Sequence, residues 1–77
     1  MKDMMNAILS AQATQAEAMI QKHKVNIEVL TKNAAGVAEH PDIMDTVEKE
    51  LTQLAHWQDI KSAISIFDFQ QQKTLVE

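Results

Sequence analysis

Cysteine and arginine are both absent from this 77-residue chain, and glycine and proline each occur once. Without cysteine, neither a disulfide bond nor a thiolate metal site can strengthen a small fold. Disordered chains are usually richer in glycine, proline and charge, so this composition, with an apolar content of 45%, predicts an ordered chain. A chain this short forms one small domain at most, and its apolar core must hold the fold alone.

The charge balance argues against nucleic acid and lipid as partners. Seven lysines are outnumbered by eleven acidic residues, which gives a net charge of −4. Arginine is the side chain best suited to bidentate contacts with phosphate and guanine, so its absence disfavours nucleic-acid binding. The acidic balance also disfavours attraction to phosphate backbones and to anionic lipid surfaces.

Hydropathy along the chain predicts a cytoplasmic protein. No apolar run approaches the roughly 20 residues that span a bilayer. The N-terminal apolar stretch is a poor signal peptide, because Asp3 cancels the charge of Lys2 and because Asn6 and Ser10 interrupt it.

The single glycine and the single proline lie near mid-chain and predict the turn of a helical hairpin. Gly36 suits the left-handed residue that ends a helix, because only glycine adopts that conformation without strain. Pro41 suits the first turn of the next helix, where its missing N–H costs nothing. Asp42 is a candidate N-cap for that helix. The predicted elements are a helix over about 2–35, a loop at 36–40, a helix over about 41–72 and a frayed tail at 73–77.

Apolar residues in the first predicted helix form two stripes at helical spacing. The main stripe is Met5, Leu9, Gln12, Ala16, Ile20, His23, Ile27, Leu30 and Ala34. The weaker stripe, on the opposite face, is Ala7, Ala11, Ala18, Val25 and Val29. A hairpin partner covers only one face, so the second stripe is either a further contact surface or a set of small residues tolerated on a solvated face.

The second predicted helix carries a stripe that rotates around its axis. Its members are Ile43, Val47, Leu51, Leu54, Trp57, Ile60, Ile64 and Phe67. Steps of three residues advance by less than one turn, so the two halves of the stripe face different directions. The fold class that follows is all-α, an antiparallel two-helix hairpin that completes a four-helix bundle by dimerisation or with a partner chain. The alternating segment 64–69 would also suit a strand, although no second strand candidate exists.

The best functional signal is an apolar cluster late in the chain that contains all three aromatic residues. Its members are Trp57, Ile60, Ile64, Ile66, Phe67 and Phe69. On a helix they point in several directions, so one helix partner cannot cover them all, and aromatic anchors carry much of the energy of many interfaces. We therefore expect a non-enzymatic protein-binding module, a small regulator, adaptor or inhibitor, that also self-associates. The alternative is a structural subunit or a secretion-type co-chaperone within a helical assembly.

Catalytic and metal sites are poorly supported. The serines lie within predicted helices, there is no glycine-rich phosphate loop, and two helices make no cleft that could tune paired carboxylates. We expect no enzyme activity, no cofactor and no small-molecule substrate. His56 and Asp59 have metal-ligand spacing and His23 would lie at a similar level, but His56 falls outside the main stripe. We expect His23 to be a partly buried residue with one hydrogen bond instead.

An acidic series at the start of the second helix offers one further hypothesis. Its members are Glu39, Asp42, Asp45, Glu48 and Glu50. Such a series could mimic a nucleic-acid backbone for a basic partner. The simpler interpretation is a solvated helix face near the positive end of the helix dipole.

Overall fold

Two α-helices packed side by side make up the described part of the chain. The computed structural model describes residues 2–33 and 42–67, in which α1 spans Lys2–Lys32 and α2 spans Ile43–Ser65. No strand occurs within these residues, so the all-α two-helix hairpin is confirmed. The predicted turn residues Gly36 and Pro41, the cluster member Phe69 and the tail at 73–77 lie outside the described residues.

The ends of α1 carry charges that suit the helix dipole. Asp3 lies in the first turn and Lys32 in the last, so the acidic side chain is at the positive end and the basic one at the negative end. Asn33 continues the backbone hydrogen bonding, because its N–H donates to the carbonyl of Val29 over 3.1 Å.

The ends of α2 are formed by backbone hydrogen bonds. Asp42 is the N-cap residue, as predicted, but its side chain makes no capping bond. Its carbonyl instead accepts from both the N–H and the hydroxyl of Thr46, over 2.9 and 3.0 Å. At the other end, the N–H groups of Ile66 and Phe67 donate to carbonyls three residues earlier, which tightens the last turn.

The shared core of the hairpin is small. Among the described residues, only Ala16, Ile20, His23 and Ile64 are buried. The first three are consecutive members of the main stripe of α1, which confirms that the middle of this stripe faces α2. The earlier members Met5 and Gln12 are exposed, so their placement in the inward stripe is wrong. Two cross-helix contacts show the antiparallel direction, since the earlier α1 residue, Glu17, pairs with the later α2 residue, Lys61, whereas His23 pairs with Glu50.

The inward stripe of α2 differs from the prediction at its second turn. Leu51 is 49% exposed, whereas Glu50 is half-buried and bonded across the hairpin, so the placement of Leu51 in this stripe is wrong. From Val47, a step of three places Glu50 on the inward face and a further step of four reaches Leu54, which is regular helical spacing. The prediction followed apolar residues alone, and it therefore selected Leu51, the neighbour of the inward residue Glu50. Phe67, the last predicted member, is also exposed.

Substitutions at Ile20 and Leu51 should separate core from surface. Ile20→Ala removes buried methyl groups and should lower the free energy of unfolding by about 2 to 4 kcal/mol. Leu51→Ala removes a similar volume from an exposed site and should change it by less than about 0.5 kcal/mol. Urea unfolding followed by circular dichroism measures both. Equal losses in the two variants would contradict the inward stripe described here.

Candidate functional site

Exposed apolar side chains are the main chemical feature of the hairpin surface. Nine large ones are exposed among the described residues: Met4, Met5, Ile8, Val25, Val29, Met44, Leu51, Ile66 and Phe67. Single exposed apolar residues are normal on protein surfaces. Two groups among these nine stand out, however, because one is a sequential pair after the end of α2 and the other shares one face of α1. Clusters of exposed apolar residues are candidate docking sites.

The first group lies at the end of α2, and we call it the α2 end surface. It consists of Ile66 and Phe67, which are 77% and 56% exposed. The other described members of the predicted aromatic cluster lie elsewhere: Trp57 and Ile60 are half-buried and Ile64 is buried. The structure therefore divides the cluster between the shared interface of the hairpin and an exposed end.

The second group lies on the outer side of α1, and we call it the α1 outer face. All five predicted members of the second stripe are exposed there: Ala7, Ala11, Ala18, Val25 and Val29. Met4 and Ile8 are exposed as well. The predicted stripe included neither Met4 nor Ile8. The signal that identifies both residues is a repeat of seven residues. Met4 lies seven residues before Ala11, and Ile8, four residues after Met4, begins a second series with the same spacing.

A polar cluster crosses the hairpin interface at the middle of α1. His23 Nδ1 lies 2.6 Å from Glu50 Oε1, and the Asn26 amide donates to the same oxygen over 3.0 Å. Because a carboxylate only accepts, His23 must carry its hydrogen on Nδ1. His23 is buried and has this one hydrogen bond, as the sequence predicted. Its Nε2 atom, like Trp57 Nε1, is buried without a hydrogen-bond partner.

Hydrogen bonding lowers the pKa values of two carboxyl groups in the hairpin. The bond from His23, followed by that from Asn26, lowers the pKa of Glu50, because both bonds favour the ionised form. The bond from Lys61, followed by that from Gln21, likewise lowers the pKa of Glu17. Lys61 and Glu17 form an exposed ion pair, and such pairs contribute only about 0 to 1 kcal/mol.

The structure does not bring the candidate metal ligands together. Within residues 2–33 and 42–67, no three histidine or acidic side chains are grouped as a metal ion requires. His23 is bonded to Glu50, while His56 packs edge-on against its neighbour Trp57, with ring centres 5.0 Å apart. His23, His56 and Asp59 therefore form no ligand set.

The start of α2 forms a shallow groove with an acidic rim. The groove has a volume of about 510 Å³, and it is lined by Thr31, Ile43, Met44, Asp45, Val47, Glu48 and Leu51. The predicted acidic series borders it incompletely, because Glu50 turns inward to His23 and Glu39 lies outside the described residues. Neither of the two described helices is long and apolar enough to cross a membrane.

The polar cluster predicts a specific acid sensitivity. Because the pKa of Glu50 is lowered in the folded chain, its stabilisation is complete above the ordinary value of 4.5 and is lost as the pH falls through the folded value. Glu50→Gln should therefore flatten the dependence of unfolding free energy on pH below about 4.5. Urea unfolding at a series of pH values measures this. Glu48→Gln, at an exposed site, is the control, and an unchanged acid loss in Glu50→Gln would contradict the cluster's role.

Neither a protein-family model, nor a curated protein, nor a solved structure matches the chain.

Proposed function

We propose that this hairpin is a non-enzymatic protein-binding module, a small regulator, adaptor or inhibitor, that docks through its exposed apolar surfaces. The observation that carries the proposal is the α2 end surface, where Ile66 and Phe67 are adjacent and both more than half exposed. An aromatic side chain beside a large aliphatic one is the composition of an interface anchor. Two exposed apolar side chains of this size do not increase the solubility of the chain.

The α2 end surface could supply part of the binding energy of a specific complex. Full burial of a large apolar side chain contributes about 1.5 to 3 kcal/mol. The exposed fractions of Ile66 and Phe67 together are equivalent to somewhat more than one side chain. Burying them would contribute about 2 to 4 kcal/mol, and each 1.4 kcal/mol is a factor of ten in affinity. The pair could therefore account for one to three powers of ten in the dissociation constant.

The geometry of the surface favours a partner with an apolar pocket or groove. Ile66 and Phe67 follow directly after the end of α2 and are both exposed there. A groove that receives a helix and reads its apolar anchors is a recurrent mode of protein recognition. We propose this mode for the α2 end surface.

A structural subunit, including one of the secretion co-chaperone type, is the second candidate function. It is favoured by the α1 outer face, whose apolar residues run along most of a 31-residue helix. A long helical face is suited to an assembly of helices, whereas the two residues of the α2 end surface are suited to docking with a single partner. In the second candidate function, self-association through α1 is the main activity and the α2 end surface is secondary.

Phe67→Asp tests the protein-binding proposal. The immobilised wild-type chain would capture a partner from cells that express it, and calorimetry with the purified partner would give dissociation constants. We expect Phe67→Asp to weaken binding at least tenfold, because it places a charge where the complex would bury an apolar side chain. The hairpin should remain folded, because Phe67 is exposed and lies outside the core.

The matched control for this experiment is Gln58→Asp. It adds the same charge to an exposed position of α2 and should leave both the circular dichroism spectrum and the affinity unchanged. Equal dissociation constants for Phe67→Asp and the wild type would remove the α2 end surface from the proposal. Loss of helical signal in Phe67→Asp alone would show that this side chain stabilises the hairpin instead.

A further inference from the structure

The α1 outer face repeats with the period of a coiled coil. One apolar series, Met4, Ala11, Ala18 and Val25, has strict seven-residue spacing. A second series with the same spacing follows it four residues later, in which Ile8 and Val29 are apolar and the intervening residues Gln15 and Lys22, on the same side of α1, are polar. All eight residues are exposed on the described hairpin. A seven-residue repeat keeps two helices in contact along their whole length, because slight supercoiling compensates the difference between 3.5 and 3.6 residues per turn.

We propose that the α1 outer face pairs with the same face of a second copy of this chain, antiparallel, about a two-fold axis level with residues 16–17. This inference rests on the proposal that the apolar surfaces of the hairpin are docking surfaces, and it names the occupant of one of them. In a two-fold interface the same patch is used by both copies, so the patch must be complementary to itself.

The order of residues along the face has this self-complementarity. The antiparallel register places Met4 opposite Val29 of the second copy, Ile8 opposite Val25, Ala11 opposite Lys22 and Gln15 opposite Ala18. Large apolar residues therefore meet at both ends of the contact. In the middle, each alanine meets a long side chain, and small residues opposite large ones allow helices to pack closely. The aliphatic stem of Lys22 can lie across Ala11 while its ammonium group reaches solvent.

Charge selects the antiparallel direction over the parallel one. A parallel pair would also match the alanines, but it would place Lys22 against Lys22 of the second copy within the contact, and Lys32 against Lys32 beyond its end. Like charges that face each other are destabilising. The antiparallel pair separates the lysines and brings Lys32 level with the acidic first turn that contains Asp3, within about 3 Å along the axis.

The hairpin leaves the α1 outer face uncovered, and the small area of this face limits how strongly it can bind a second copy. Ala16, Ile20 and His23, which are buried against α2, lie on the opposite side of α1. The face runs over 26 residues, or about 39 Å, and is about 10 Å wide, so it would bury on the order of 400 Å² per copy. Stable complexes bury about 800 Å² per partner. The proposed dimer is therefore weak and depends on concentration.

Cysteine cross-linking tests the register, because the natural chain contains no cysteine. The variant with both Ile8→Cys and Val25→Cys should form a covalent dimer under mild oxidation, since the two positions face each other across the proposed interface. The single variants are the controls, because each cysteine would lie about 26 Å from its equivalent in the second copy. We expect the double variant to cross-link at least ten times faster than either single variant.

Three outcomes of this experiment would overturn the proposal. Single variants that cross-link as fast as the double variant would indicate a parallel pair or random collision. A double variant that stays monomeric would show that positions 8 and 25 do not meet. A ladder of trimers and larger species on the non-reducing gel would show an open, head-to-tail contact instead of a closed two-fold pair.

Sedimentation of chains without cysteine provides an independent measurement. The wild type should shift from monomer to dimer as its concentration rises, while Ala18→Lys, which adds a charge beside Lys22 at the centre of the contact, should remain a folded monomer. A wild type that is monomeric at every concentration would contradict the dimer. Persistence of Phe67-dependent partner binding in that case would leave the protein-binding proposal intact, so the two failures can be told apart.

Discussion

Each helix of this hairpin has one helical neighbour in the described chain, and that neighbour covers only part of its circumference. The molecule measures 55 × 23 × 15 Å, so it is little thicker than a single helix with its side chains. No side chain can be far from solvent in such a shape. Four described residues are buried, while nine large apolar residues remain exposed. The surface chemistry of the protein follows from this geometry, because apolar residues that the hairpin cannot cover are available to other chains.

A polar cluster occupies part of this small core. Glu50 accepts hydrogen bonds from His23 and Asn26, and its partial burial costs desolvation energy that the bonds offset. An apolar pair at these positions could bury more surface, but apolar residues slide past one another without a defined register. Hydrogen bonds between particular residues of α1 and α2 fix which turns lie side by side. The register in turn determines which residues face outward, including Leu51 and the members of the α1 outer face.

The sequence predicted the two helices and the middle of the inward face of α1, and it failed at Glu50 of α2, where a carboxylate faces inward. Ala16, Ile20 and His23 follow regular helical spacing with apolar neighbours, so periodicity identifies their face. At Glu50 the same method selected Leu51, because a search for apolar residues passes over an inward carboxylate. The stabilising partner of Glu50 lies 27 residues away in the chain, and no local pattern reports a contact across that distance. The division of the aromatic cluster, with Ile64 buried and Phe67 exposed, depends on the same tertiary register.

The two proposed surfaces are compatible, because they lie on different helices. Lys61 of α2 is level with Glu17 of α1, so Phe67, six residues further on, lies near the level of residue 11. In the antiparallel dimer, residue 11 of one copy is level with residue 22 of the other. The two copies of Phe67 would then be displaced by about 16 Å along the common axis. Dimerisation would therefore present two separate anchors to a partner with two pockets, and the second docking event would become intramolecular, which raises the overall affinity without any new contact. A weak dimer is enough for this effect, because a partner that binds both anchors also stabilises the dimer that holds them.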